Sequence, residues 1–558
     1  MIQLSIIIPT FNRAEQLRAC LDALSHQTQP ATEFEVIVVV NGSTDGTREM
    51  LATLVPPYRL RVCWLSKGSL GAACNHGVGT ATGRYCLFLD DDVIAAPGLV
   101  AAHLKIQREQ EGVVGIGQII LQLPSRADAF ARFLAQERQD RHTQLGQGSQ
   151  LPSCMDCDSA NLSIPREAFL KAGGVAVDLP SSEGVELGYR LENQGLSFVY
   201  IPDAMGHQSC HKGFGEVAAD AERDGETSIE LYRHHPSILP HLQLGAFHNM
   251  GLYAVLLRRV LLTIRCPLRP LMIIGPLLGK QSWRSVWYRF LHSYGYWRGV
   301  QRAVSDRDTW HRLTRGPVIL VYHAFTGRRE VPRRFVVSAA HFARQLAWLK
   351  KRRYYVLSLE EFLRYRHEHR LPPARSVVIT FDDGYADNRT VAHPLLRKYG
   401  FPATIFLVSG AVGATNQWDC EGELAGRPLL SWSDIKDMLR EDIHFGAHTR
   451  NHLSLTGIPA SRTRDEIEGS RADLEQELGL PVLVFAYPYG KNDLTSQAVV
   501  EHAGFLGACS FSSGRNDPAT PLYALRRTEI RGTDSLLRFV VALWLGQARF
   551  LSPWWSRR

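Results

Sequence analysis

The sequence predicts an α/β protein built from two separate sheet domains, and three observations carry that reading: the length, the spacing of strand-like apolar runs, and the placement of charge. At 558 residues the chain exceeds one ordinary core, because a domain takes about 100 to 200 residues. Short β-rich runs alternate with helical stretches twice along the chain, the pattern of a mainly parallel sheet covered by helices. Between the two patterns, Leu231 to Ser305 holds ten Lys and Arg and no Asp or Glu. A composition 45% hydrophobic and 21% charged excludes the disordered, fibrous and low-complexity classes.

The first pattern spans residues 1–245. LSIIIPT, FEVIVVVN, YCLFLDDD and LSFVYIP read as strands with polar or acidic residues at their carboxyl ends, the edge where open α/β sheets bind ligands. Asp90, Asp91 and Asp92 follow YCLFL. Alternate residues of an extended chain share a face, so Asp90 and Asp92 are expected on one side and Asp91 on the other. Oxygen donors so placed suit a hard cation such as Mg2+ or Mn2+; a solvated turn is the plain alternative. The chain passes from Met1 directly into LSIIIP without the regions of a signal peptide, which predicts a cytoplasmic start. Ten cysteines are scattered singly except for Cys154 and Cys157, so free buried thiols are expected.

Residues 246–315 form a basic, aromatic segment. Apolar stretches are broken by Arg258, Arg259, Arg265 and Arg269 and by Pro267, Pro270 and Pro276; Trp283, Trp287, Tyr288, Tyr294, Tyr296 and Trp297 follow. The ten residues of Leu231–Ser305 contribute +10 to a net charge of +8, leaving 8 − 10, or −2, for the rest. PLMIIGPLLG is far shorter than the roughly 20 apolar residues of a membrane span, so helices lying on an anionic membrane surface are expected. A basic interdomain packing surface is the alternative. No nucleic-acid module surrounds the charge, and no nucleic acid is expected.

The second pattern, 316–535, opens at GPVILVYHAF and continues through VVITFDD, ATIFLVSG, IHFGAHT and VLVFAYPYG. TFDDGY puts Asp382 and Asp383 at a strand end, and HTRNH puts His448 and His452 four apart after another. On a helical turn such histidines share a face, so both are expected to grip one metal with Asp383. Positions then stay open for water and substrate, as catalytic zinc sites require, and Asp382 is free to act as base. Residues 536–558, LLRFVVALWLGQARFLSPWWSRR, read as an amphipathic basic tail, either a packing helix or a second interfacial anchor.

Taken in order, LSIIIPTFNRAEQLRACLDAL, NGSTDGT, GAACNHGVGTATGRYCLFLDDDV and EGVELGYRL make residues 3 to 240 resemble the family 2 glycosyltransferases of GT-A fold. That resemblance implies a nucleotide-sugar donor, with Pro9, Thr10, Asn12 and Arg13 at the first nucleotide-binding strand end and Asn41 and Asp45 in the next loop. Asp90 and Asp92 would hold Mg2+ or Mn2+ on the diphosphate. Two residues depart from the family pattern: Val40 stands where an aspartate usually holds the base or ribose, and Glu183-Gly184 replaces the common Glu-Asp. The base that deprotonates the acceptor is then Glu183 or Glu186, and Glu183 is the choice. His207 and His211, after SFVYIP, are further candidates for metal or phosphate binding.

By VYHAF, TFDDGY, HTRNHLSL and FAYPYG, about residues 317 to 530 resemble the polysaccharide deacetylases of carbohydrate esterase family 4. The resemblance implies a distorted (β/α) barrel, Asp382 as catalytic base, and Asp383, His448 and His452 as ligands of a divalent metal, expected to be Zn2+. It makes Pro488, Tyr489 and Gly490 a groove wall, with the Tyr489 amide facing the oxyanion. The late Leu-x-x-His segment of many relatives is absent, and His323 in LVYHAF takes the place of the general acid, as in permuted deacetylases acting on poly-N-acetylglucosamine. The expected protein is bifunctional, with a glycan or lipid-linked acceptor and a peripheral location on the inner face of the cytoplasmic membrane. One alternative keeps only the deacetylase catalytic, beside a sugar-binding N-terminal half. Another makes the basic segment an assembly or nucleic-acid surface.

Overall fold

A computed structural model of the chain describes residues 2–547 except 67, 180, 211, 328–330 and 420. It divides into two compact units, Met1–Leu231 with Leu261–Ala303, and Tyr232–Val260 with Val304–Arg558. His211 and residues 548–558 of the expected tail lie outside the described residues.

The first unit is built on β1 (Leu4–Thr10), β2 (Phe34–Asn41), β3 (Arg59–Leu65), β4 (Tyr85–Leu89), β5 (Val93–Ala95), β6 (Val113–Gln122), β7 (Asn161–Pro165) and β8 (Ser197–Ser209). They form one sheet in the order β3-β2-β1-β4-β7-β6-β8-β5. The first four are parallel neighbours, while β7 runs antiparallel between β4 and β6. β-Branched runs favour these strands, and both faces are covered: Ile6, Ile8, Val36 and Val38 belong to one core, Ile7, Ile37 and Val39 to the other. The chain steps outward from β1 to β3 and returns on the other side as β4, so a crevice opens at the carboxyl ends of β1 and β4.

The expected basic segment is divided between the units. Arg258 is 1% exposed, lies over the Phe247 ring at 4.4 Å and donates to the Phe247 carbonyl. Arg259 donates to Thr314 O at 2.7 Å within the same unit. Tyr288, Tyr294, Tyr296 and Trp297 of the helix Gln281–Ala303 are buried in the first unit. These two arginines and four aromatic rings therefore do not face a membrane. Their guanidinium and ring surfaces are consumed by packing and by carbonyl acceptors that a sequence does not display. Among the described residues no helix is long and apolar enough to cross a membrane.

In the second unit β9 (Val318–Tyr322) is followed by the small parallel pair β10 (Ala324–Thr326) and β11 (Val336–Ser338), and β12 (Tyr355–Leu357) lies beside the start of β13 (Ser376–Phe381). Next come β14 (Ala403–Leu407), β15 (Ile443–Ala447), β16 (Val484–Ala486), β17 (Gly507–Cys509) and β18 (Arg527–Glu529). The sheet runs β17-β16-β15-β14-β13-β9-β18, all parallel, and a bridge from Cys509 to Leu525 nearly closes it into a barrel. Leu320, Ile379, Ile405, Phe445 and Phe485 contribute to its main core. In the described part of the tail, Phe539, Ala542 and Leu543 bury the helix Leu536–Leu545, and Arg515 donates to Leu543 O at 2.6 Å.

Candidate functional sites

The crevice of the first unit gathers the residues expected there, but by turns rather than by extended chain. β4 stops at Leu89, and Val93 N donates to Asp90 O at 3.2 Å, so Asp90 to Asp92 form a tight turn. The strand alternation expected of Asp90 and Asp92 does not apply, because a turn rotates successive side chains. Asp91 accepts from Thr10 Oγ1 at 2.7 Å and from Arg13 at 3.0 Å; Asp92 accepts from the same Arg13 at 3.1 Å and from Gln208 at 2.8 Å. Asp90 instead faces a cleft of about 670 Å3 that Asp158, Arg138, Arg141 and Glu183 also line. Burial first, then the charges of Asp158, Asp92 and Asp91, push its carboxyl up to about 7. Asp90, with Asp158 lining the same cleft, offers the oxygen donors that suit a hard divalent cation.

Asn12 and Asp45 tie the first two loops together. Asn12 Oδ1 accepts from Thr44 N at 2.7 Å, and Asp45 accepts from Ala14 N at 3.1 Å, at the start of the helix Ala14–Ser25. Asn41 exchanges two hydrogen bonds with the Gly68 backbone. Pro9 is the half-buried residue before Thr10 at the end of β1, while Val40 is sealed in the core at 1% exposure. His207 lies inside β8 rather than after it, paired between Ile94 and Ile120, and its neighbour Gln208 makes the contact with the acids.

Glu183 opens the helix Glu183–Asn193 after Ser182, whose φ of 60° turns the chain into the cleft. Burial raises its carboxyl pKa. Glu186 is instead held against Arg190, one turn along, at 2.7 Å. At Gly184 a Cβ would sit 2.3 Å from the Cys157 carbonyl, and at Gly188 2.6 Å from Cys157 Sγ. The helix thus docks onto the turn Cys154–Asp156 through two glycines, and no side chain fits at 184. The nine described cysteines are free.

At the barrel mouth the pocket is about 510 Å3, lined among others by His323, Asp382, Asp383, His448, His452 and Tyr489. Asp383 Oδ1 lies 3.5 Å from His448 Nε2 and 3.2 Å from His452 Nε2, and the three ligand atoms fall within 4.8 Å of one another. All three side chains are buried, and Asp383 Oδ1 is among the buried atoms with no hydrogen-bond donor. His448 Nδ1 donates to Ala486 O at 2.7 Å, which leaves Nε2 as a lone-pair donor aimed at the site. Burial holds that imidazole neutral, its pKa lowered to about 4. This donor set fits a divalent metal of zinc type. The two histidines do not share a helical turn, as their spacing predicts. Residues 448–452 form an irregular loop, in which Thr449 (φ 64°) and His452 (φ 56°) turn the chain back; Asp383 (φ 71°) is equally constrained.

Asp382 is gripped by Arg527, whose two terminal nitrogens donate to its two oxygens at 2.6 and 2.8 Å. Burial works against its charge, but Arg527, His448 and His323 hold its pKa below the usual carboxylate range. His323 lies between Phe335 and Phe511, with ring centroids at 4.9 and 6.1 Å. Of the expected groove wall, Tyr489 reaches the pocket, its ring 4.8 Å from that of His452; Pro488 is buried beneath it and Gly490 is pressed against Phe511. Sequence reasoning missed Arg527, Trp418, which stacks on His452 at 4.6 Å, and Asn416, which donates to Tyr385 at 2.7 Å. No spacing ties these to the motifs: Arg527 lies 145 positions from its carboxylate partner.

The two sites differ in kind, one a carboxylate cleft at the switch point of an open sheet, the other a buried imidazole–carboxylate pocket at a barrel mouth, so the chain holds two α/β domains with separate candidate active sites. Comparison with known proteins supplies the families. The model for Glycosyl transferase family 2 matches residues 5–172, and that for Polysaccharide deacetylase matches residues 369–508. The chain therefore carries a family 2 glycosyltransferase domain and a polysaccharide deacetylase domain. It is 29% identical over 278 residues to validoxylamine A glucosyltransferase of Streptomyces hygroscopicus subsp. jinggangensis, covering 45% of this chain and 65% of that enzyme. It is 26% identical over 246 residues to the poly-beta-1,6-N-acetyl-D-glucosamine N-deacetylase of Staphylococcus aureus strain MRSA252, covering 42% of this chain and 81% of that enzyme. A solved structure, Streptococcus pyogenes deacetylase PplD in complex with acetate, aligns at 26% identity and a TM-score of 0.36, over 41% of this chain and 98% of that one.

Proposed function

We propose that the chain adds a sugar from a nucleotide-sugar donor to a glycan or lipid-linked acceptor and hydrolyses the N-acetyl group of a sugar in such a glycan, at the inner face of the cytoplasmic membrane. The observation that carries the hydrolytic half is the buried triangle of Asp383, His448 and His452 beside a separately held carboxylate, Asp382. Asp383, His448 and His452 would hold a divalent metal, of which Zn2+ suits the mixed imidazole and carboxylate donors. When bound, it supplies Lewis acidity to the acetyl carbonyl and lowers the pKa of water towards about 7.

The chain's own groups do the remaining work. Asp382 takes the proton of the attacking water as the new C–O bond forms, and Arg527 fixes both of its oxygens so that it faces one direction. The Tyr489 backbone N–H would meet the oxyanion. His323 gives its proton to the departing nitrogen as the C–N bond breaks, releasing acetate and a free amine. Trp418 and Tyr489 provide ring surfaces for a sugar on either side of His452.

In the first unit Asp90, joined by Asp92 once it leaves its Arg13 and Gln208 contacts, would hold Mg2+ or Mn2+ on the donor diphosphate. Thr10, Asn12, Arg13, Asn41 and Asp45 frame the loops that receive the nucleotide. Glu183 accepts the acceptor hydroxyl proton while that oxygen bonds to the anomeric carbon and the diphosphate leaves. Incubation with a panel of nucleotide-sugars and N-acetylated oligosaccharides, with mass detection, tests both halves. Transfer lost in Asp92→Asn and acetate release lost in His448→Ala are expected. Absence of donor turnover by the intact protein overturns the transferase half and leaves a deacetylase joined to a sugar-binding module.

A further inference from the structure

Residues 264–286 of the first unit keep six large apolar side chains in water: Ile264 at 65% exposure, Ile273 at 67%, Ile274 at 38%, Leu277 at 77%, Trp283 at 64% and Val286 at 60%. Scattered apolar residues on a surface are ordinary, whereas so many within one short segment mark an interaction face. Their outward placement is enforced. The short helices Leu268–Met272 and Ile274–Leu277 fold back along the start of the helix Gln281–Ala303, with Trp287 Nε1 donating to Leu271 O at 3.1 Å and Arg284 Nε to Leu278 O at 2.7 Å. Leu268 and Gly275 take the inner side. On the long helix Trp283 and Val286 stand one turn apart, both outward.

Charge selects the occupant. Residues 261–303 contain no Asp or Glu. Arg289, Arg298 and Arg302 are paired with acids of the first unit. Arg265, Arg269 and Lys280 are exposed beside the apolar side chains and enter no ion pair among the described residues. Apolar groups rimmed by uncompensated cations match a surface with hydrocarbon below and phosphate above.

We propose that this face seats the first unit on an anionic lipid bilayer, with Ile273, Leu277 and Trp283 entering the acyl boundary and Arg265, Arg269 and Lys280 meeting lipid phosphates. The inference rests on the membrane location in the proposed function and names the residues that make it. It keeps Arg265, Arg269 and Trp283 of the sequence expectation and leaves out Arg258, Arg259 and the four buried aromatic rings, which are committed to packing.

The test is flotation of the full-length protein with vesicles of phosphatidylglycerol and phosphatidylcholine, against pure phosphatidylcholine. The intact chain is expected to float with the anionic vesicles and to be released by high salt, which shortens electrostatic reach to about 3 Å at 1 M. Leu277→Ser with Trp283→Ser is expected to lower the bound fraction about tenfold, as is Arg265→Gln with Arg269→Gln and Lys280→Gln. All five positions are exposed, so unchanged thermal melting should accompany the loss. Failure of the intact chain to float, flotation of either variant equal to that of the intact chain, or a dimer in light scattering that the serine variant dissociates while vesicles stay unbound would each overturn the proposal. Transfer to a soluble acceptor separates the two readings. A chain that transfers sugar without floating removes the docking face and the membrane location together, one that floats with its variants undiminished removes the docking face alone, and one that floats without transferring removes only the transferase.

Discussion

At Glu183-Gly184 the choice of catalytic base comes down to space. A Cβ on residue 184 would meet the Cys157 carbonyl at 2.3 Å, and Glu186 is engaged by Arg190, which leaves Glu183 as the carboxylate of that helix start facing the cleft. Glu183→Gln should cut kcat for transfer by about 10²–10⁴-fold with donor binding retained, read by initial rates and calorimetry. Gly184→Asp, which restores the common family pair in letters, should displace the helix and lower transfer too, because backbone and not a flexible side chain stands in the way. His103 gives a pH prediction. It is fully buried between Ser163 Oγ and Asn161 Oδ1, and burial lowers its pKa from 6.5 to about 4. The unfolded chain binds the extra proton between those values, so its contribution to stability is complete above pH 6.5 and is lost as pH falls towards 4, by about 3 kcal/mol. Denaturant melts at pH 7 and pH 4.5 should show a loss that His103→Gln makes smaller.

At the scale of elements, strands were the legible part. LSIIIPT, FEVIVVVN and VVITF fall on β1, β2 and β13 because β-branched runs buried on both faces leave little choice of conformation. Loops were not legible. The spacing of His448 and His452 points to a helical turn, but two left-handed residues bring the imidazoles together, and periodicity does not encode such conformations. Contacts between distant elements were equally hidden. Arg527 on β18 reaches Asp382 at the end of β13 across the intervening strand β9. Arg527→Met should leave that carboxylate buried without its cation, costing about 3–5 kcal/mol in denaturant melts. Acetate release should fall about a hundredfold with substrate binding nearly intact.

For the whole molecule, two separate sites predict separable activities. A chelator strong enough to strip the Asp383–His448–His452 triangle, or His448→Ala, should abolish acetate release. His448→Ala should leave sugar transfer within about twofold, whereas loss of both activities in that variant would contradict independent sites. Order of motifs and residue type were enough to specify the two enzyme domains, the sheet edges that bear their acids, and the grouping of His448 and His452 with Asp383, because metal-binding chemistry needs those functional groups near strand ends. Folding in three dimensions decided the rest: which carboxylate is paired and which is bare, where Arg258, Arg259 and four aromatic rings are spent, and which apolar side chains remain in water. The physical reason is that hydrogen bonding and burial are properties of neighbours, and those neighbours lie up to 145 positions away along the chain, as Asp382 and Arg527 do.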